Sequence, residues 1–324
     1  MKALFRFTLL MTTCAALTAA AQDFPSRPLR AVVPYPAGSG PDLTTRALSQ
    51  SMSATFGKPV VVENRGGGAG LPAVNELMNA PADGYTLLIP DSGHWSILPV
   101  LRSKLSYDPV RDFAPVGLIY SSWQFVLVPA DAPYKNLQEL VAAARAKPGK
   151  MQYGTIGLGG VVHLIGEAFR TAAGLDVQAI AYQGSPELVS ALLRGDIPYA
   201  VAGYGGPLGP AMRAGRLRPL AVSTRNRAKQ LLPDVPPVKD ALGIADFDFA
   251  ASVGMVARSG TPAATIERLS SALNQALNTP EMAAFGGRSG FEVTPSTPAQ
   301  MGEAIRNDLR KFAQVVKDAK ISIE

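Results

Sequence analysis

Two stretches of this chain share one plan: a short apolar run, a turn of small residues, then an amphipathic segment. The first is "VVPYPAGSGPD", residues 32–42, and the second is "YGTIGLGGVVHL", residues 153–164. A strand that leaves its sheet through glycines and opens a helix aims that helix's unpaired N–H groups at the space above the strand's C-terminal end. A carboxylate or phosphate docks there without help from an arginine. A unit of this kind needs a sheet with helices packed on it, so its repetition restricts the chain to the α/β class.

The rest of the sequence keeps the same alternation. A strand is expected over residues 29–35, with Pro41 at the start of a helix whose Leu43, Ala47, Leu48, Met52 and Phe56 recur at helical spacing up to Gly57. "PVVVENR" and "DGYTLLIP" read as further strands, and "GGGAG" (66–70) as a strand–helix turn. The middle of the chain adds the strands "MQYGTIG", "VQAIAY", "IPYAVAG" and "LRPLAVST". Strand–helix alternation of this sort predicts parallel sheets with covering helices. Two closing helices are signalled by Thr261-Pro262 and by Thr297-Pro298 with Gln300. Two long apolar stretches, 113–130 and 247–260, are long enough to leave one sheet and enter another. They are read as the two crossovers of a two-lobed protein. Residues 24–120 plus 253–324 form one lobe and 121–252 the other, joined so that they can close around a ligand.

Lys2 and Arg6 precede an apolar run from Phe7 to Leu17, and Ala19 to Ala21 supply an A-x-A cleavage signal. Residues 1–21 therefore read as a secretory signal peptide. The single cysteine, Cys14, lies within it. "MTTC" is a poor lipid-attachment signal, so the mature chain is expected to be exported, soluble and free of disulfides and thiolate chemistry. The net charge of +6 gathers loosely in Arg213, Arg216, Arg218, Arg225, Arg227 and Lys229. Without interleaved aromatic residues that cluster does not point to nucleic acid, and a mildly positive field suits small anions equally.

The chemical inventory is thin. His94 and His163 are the two histidines, and their spacing matches no metal site. There is no G-x-S-x-G elbow, no phosphate-binding P-loop and no recognisable acid–base pair. No cofactor, metal or catalytic residue is expected. Trp95 and Trp123 are left between core packing and stacking on an aromatic ligand. The candidate ligand-binding residues are Tyr35, Ala37, Gly38, Ser39, Gly40 and Asp42 from the first turn. Thr155, Gly157, Leu158, Gly159, Gly160 and His163 come from the second, and Ser92, Gln183 and Tyr204 complete the set. Asp42 is either a first-turn carboxylate complementing the helix dipole or an acceptor facing the ligand.

Several strings occur together and in order: "FPSRPLRAVVPYPAGSGPDLTTRALSQ", "VVVENRGGGAG", "YDPVRDFAPVGLI", "AYQGSPELVSALLRGDI", "AGRLRPLAVSTRNR" and "GTPAATIERLSSALNQALNTPEM". Through these motifs nearly the whole mature chain resembles the Bug family, the substrate-binding receptors of tripartite tricarboxylate transporters. The resemblance implies a periplasmic binding protein of the type II, Venus-flytrap kind, monomeric and without catalysis. It would capture a small organic acid (a di- or tricarboxylate, an amino acid or an aromatic acid) and pass it to membrane permease subunits. A receptor for a membrane sensor kinase and a secreted α/β enzyme are the competing readings. The chain departs from the family pattern at Ser39, at Pro41, at Gly159-Gly160 and at Gly203-Tyr204-Gly205. Fewer hydroxyls and an added tyrosine point toward an aromatic ligand. Exported protein is expected to begin at Gln22, which N-terminal sequencing or intact mass checks directly.

Overall fold

The computed structural model describes residues 24–321; the signal-peptide reading and Cys14 lie outside them. The chain opens with β1 (Leu29–Val33), helix α1 (Gly40–Phe56) and β2 (Val60–Asn64), then α2 (Leu71–Asn79) and β3 (Thr86–Leu88). A π-helical turn (Gly93–Ile97), α3 (Leu98–Leu101) and α4 (Pro109–Asp112) lead into β4 (Phe113–Ser122). The second half holds β5 (Phe125–Pro129), α5 (Leu137–Arg145), β6 (Met151–Ile156), α6 (Val161–Ala172), β7 (Val177–Tyr182) and α7 (Ser185–Arg194). It continues with β8 (Tyr199–Ala202), α8 (Leu208–Arg213), β9 (Leu217–Val222) and α9 (Val238–Leu242). The chain closes with β10 (Ala251–Arg258), α10 (Ala263–Leu277), α11 (Pro280–Ser289), β11 (Phe291–Val293) and α12 (Pro298–Ala319).

These strands make two mixed sheets, ordered β11-β4-β10-β3-β1-β2 and β7-β6-β8-β5-β9. The parallel part of each is what the alternation predicts: β2, β1 and β3 in the first, β7, β6 and β8 in the second. The alternation does not foresee the antiparallel pairings, which are made by β4, β10 and β11 and by β5 and β9 with their neighbours. The crossovers account for four of them. The chain leaves the first sheet through β4 and enters the second through β5; it returns through β9 and β10, and of these strands β5 and β10 oppose the direction of the βα units while β4 and β9 share it. The 113–130 stretch breaks at Trp123-Gln124, between β4 and β5.

Local signals explain the element ends. Pro41 occupies the first turn of α1, and Gly57 closes that helix in the left-handed conformation. Thr297 and Gln300 form a reciprocal capping box at α12, as their spacing predicts. Thr261 does not cap α10; its hydroxyl donates to the Arg258 carbonyl (2.7 Å), and the helix begins after Pro262. No helix among the described residues is long and apolar enough to cross a membrane.

One helix serves both sheets. Met301 and Ile305 of α12 pack with Val32, Leu88 and Trp95 under the first sheet, whereas Phe312 and Val315 pack with Phe169, Val128 and Val201 of the second. A helix of 22 residues is about 33 Å long, enough to bridge both cores. Midway, the Trp95 indole N–H donates to Asp308 Oδ2 (2.9 Å); one turn on, Lys311 donates to the Asp248 carbonyl (2.8 Å).

Burial pushes the Asp308 carboxyl up to about 6, against the opposing pull of Trp95 and Lys311. The native state therefore holds a proton that the unfolded chain releases from about pH 4. Its contribution to stability is greatest below pH 4 and is lost as pH rises through 6. Asp308→Asn keeps an acceptor for Trp95 and removes the titration. The variant is expected to gain on the order of 2 kcal/mol over the parent at pH 8 and almost nothing at pH 4, as read by urea denaturation at the two pH values.

Candidate functional site: an inter-sheet cavity at a helix start

The first glycine turn folds onto its own carboxylate. Gly38 takes φ 82, a left-handed value suited to glycine, and its N–H donates to Asp42 Oδ2 (2.8 Å). Asn64 Nδ2 donates to Asp42 Oδ1 (2.9 Å) and Arg46 Nε to Oδ2 (3.1 Å). Burial alone would raise the Asp42 pKa, but Arg46, the Gly38 amide and Asn64 outweigh it and hold the carboxyl below its usual range. An ionised side chain thus already sits on the positive end of α1. Ser39, at the N-cap, makes no capping bond, and its buried hydroxyl has no partner.

The second turn has the same spacing and the opposite electrostatics. Gly157 and Gly159 are both left-handed, and the Gly159 N–H donates to His163 Nδ1 (3.1 Å), again four residues ahead. Burial holds the His163 pKa below its ordinary value, so the acceptor is a neutral imidazole. No acidic residue stands in the first turn of α6 to compensate its positive end. The N–H groups of its first turn have no intrahelical acceptor, and Gly160 and Val161 border a cavity.

That cavity, of about 410 Å³, is walled from both sides. The first sheet supplies Pro34, Tyr35 and Pro36, the turn at Gly67, Ala69 and Gly70, and residues from Asp91 through the π-turn to Leu98, Leu101 and Arg102. The second supplies Leu158, Gly159, Gly160 and Val161. Asp91 braces the first wall. The Tyr35 hydroxyl donates to Asp91 Oδ2, and His94 Nδ1 lies 2.6 Å from Oδ1. Burial works to raise the Asp91 pKa, but His94 and Tyr35 together hold it below the ordinary range. Burial, with Asp91 beside it, drives the Tyr35 phenol well above its own. The π-turn shares the Asp91 carbonyl between the amides of His94 (3.0 Å) and Trp95 (3.3 Å), and Tyr107 donates to the His94 carbonyl (2.5 Å). Single π-turns of this kind often mark working sites. His94 Nε2 is buried without a hydrogen-bond partner beside Gly70.

The fifteen candidate residues divide. Tyr35, Leu158, Gly159 and Gly160 line the cavity. Ala37 to Gly40 lie on the neighbouring α1 turn, with Gly40 facing the Tyr120 hydroxyl. Thr155 is buried at the end of β6 with its hydroxyl unpartnered, and Gly157 donates to the Tyr182 carbonyl (3.1 Å). Ser92 exchanges hydrogen bonds with the Ser252 backbone, and Gln183 is exposed. Tyr204 is a correction. It is buried in the second-sheet cluster with Trp123, accepts from Arg213 and covers Gly290, away from the cavity. Trp95 and Trp123 are likewise core residues. Asp42 and His163 act within their own turns rather than on the cavity. Of the residues that line the cavity, Gly70, Asp91, His94, Ile97, Leu98, Leu101 and Arg102 were missed as site candidates. Their signal was a polar "DSGH" directly after an apolar strand, with its histidine set aside as unpaired.

The model described as tripartite tricarboxylate transporter family receptor matches residues 44–321. The chain belongs to this receptor family. It is 34% identical over 302 residues to a UPF0065 protein of Bordetella bronchiseptica, covering 91% of this chain and 88% of that one. A solved protein of R. palustris with adipate is 28% identical, with a TM-score of 0.77 and 92% and 99% coverage of the two chains. MatC of Rhodopseudomonas palustris with bound malate is 25% identical, with a TM-score of 0.73 and 90% and 100% coverage. Members of the family are receptors rather than enzymes, and the two-sheet architecture here is theirs.

If Asp42 holds the α1 turn of this receptor from within, Asp42→Ala should lower the stability of the ligand-free protein by about 1–2 kcal/mol, because the buried carboxylate's bonds from Gly38, Asn64 and Arg46 are lost together. Denaturant unfolding in ligand-free buffer measures it; a pure ligand contact would leave that value unchanged.

Proposed function

We propose that the chain is a periplasmic receptor that captures a small organic acid between two lobes and hands it, unchanged, to the permease subunits of a tripartite tricarboxylate transporter. Export would follow cleavage after Ala21. The lobes would be residues 24–120 plus 253–324 and 121–252, closing about the Trp123-Gln124 and 247–250 connections. The observation that carries this reading is the cavity itself: both sheets wall it, and it receives the uncompensated positive end of α6. A carboxylate at Gly160 and Val161 would accept from backbone N–H groups in a site sheltered from water. The adipate and malate held by the R. palustris relatives are anions of this class.

Closure would make binding and stability one measurement. A ligand at a hundredfold excess over its Kd should stabilise the protein by about 2.7 kcal/mol. Gly160→Asp separates anion binding from folding. Gly160 is an N-cap with extended backbone (φ −84, ψ 169), and a Cβ there meets nothing closer than 4.0 Å. An aspartate would cap α6 with its own carboxylate, so the unliganded variant should be at least as stable as the parent. Its affinity for a carboxylate should fall at least tenfold, because the amides are occupied and a like charge is in place. Titration calorimetry against a carboxylate panel, with recovery of the ligand afterwards, checks both points; unimpaired binding by Gly160→Asp, or turnover of the ligand, would overturn the proposal.

A further inference from the structure

The cavity walls carry information about the rest of the ligand. Beyond the α6 amides, its polar side chains are Tyr35, Asp91, His94 and Arg102. The Tyr35 hydroxyl spends its one donor on Asp91, and Asp91 accepts from Tyr35 and from both the ring and the amide of His94. Pro34 and Pro36 have no N–H to offer, and the Gly70 amide is committed to the Gly67 carbonyl (2.9 Å). Arg102 stands on the exposed rim. Among the lining side chains, His94 Nε2 is a buried ring nitrogen without a partner, set beside Gly70.

The complementary surface is apolar. Ile97, Leu98 and Leu101 form one wall at helical spacing, continuous with Val161 across the gap. Leu158 lines the opposite lip with 64% of its surface exposed. A large aliphatic side chain left in water at the mouth of a cavity is a surface that a bound apolar group would cover. A hydroxylated acid would bring groups that find few partners here. A second carboxylate would meet the charge of Asp91.

Resting on the receptor reading above, we infer that the acid this protein takes has an aryl or alkyl body, with its carboxylate on the α6 amides and that body against Ile97, Leu98, Leu101 and Leu158. Hydroxylated di- and tricarboxylates are disfavoured.

The test is titration calorimetry of the full mature protein with four probes: phenylacetate, octanoate, malate and citrate. At least one of the first two should bind ten times more tightly than either of the others. Leu158→Asn changes an exposed side chain, so folding is not at issue. It should weaken the preferred apolar acid at least fivefold and malate by less than twofold; Leu98→Asn should act in the same direction. Tighter binding of malate or citrate than of both apolar acids would overturn the inference and leave the receptor reading standing, as would an apolar acid indifferent to both substitutions. Failure of all four to bind, together with no organic acid in native mass spectra of freshly exported protein, would overturn both.

Discussion

The carboxylate of Asp91 fixes the first wall of the cavity. It lies just beyond the end of β3, where its backbone bridges to Val253 of β10. Its side chain reaches sideways to Tyr35, beyond the end of β1, and forward to His94 in the π-turn. One charged group therefore ties together three segments that no sheet hydrogen bond connects at that height. In a partly dry site such bonds are stronger than in water, and a group left unpaired is costly. The Tyr35–Asp91–His94 chain sets the shape of the wall, and it leaves few polar groups with which a ligand could bond.

The two glycine turns show how similar sequences diverge in charge. Each donates a glycine amide to the side chain four residues on, Gly38 to Asp42 and Gly159 to His163. The acceptor is an anion in one and a neutral ring in the other. A helix start that already carries a carboxylate has little attraction left for a second; one held by an imidazole keeps its field. The sequence offers both turns as seats for an anion; in the proposed reading that role falls to the start of α6.

Much of the fold was legible because its signals are local. The prolines and glycines at Pro41, Gly57 and Pro298, and the apolar runs of β1 and β6, mark element ends and buried strands whatever the tertiary context. The break between β4 and β5 fell within the stretch read as a crossover. What was not legible depends on contacts distant in sequence. The side chain of Tyr204 turned inward because Gly290 and Gly209 leave room for its ring. The function of Asp91 emerges only when β1 is laid beside β3, placing Tyr35 next to a residue 56 positions away. The sharing of α12 between two cores cannot be read from its apolar stripe, which is continuous along the helix.

That shared helix constrains how the molecule can move. A hinge made of two strand connections alone would let the halves swing apart in many directions. Here a third element, stiff and continuous, is sunk at one end beneath the first sheet and at the other against the second. Any opening that pulled the halves straight apart would have to strip Phe312 and Val315 from their core or bend α12 between Asp308 and Lys311. If the halves close as proposed, the less costly path keeps both ends of α12 seated, so that the helix acts as an axle between them.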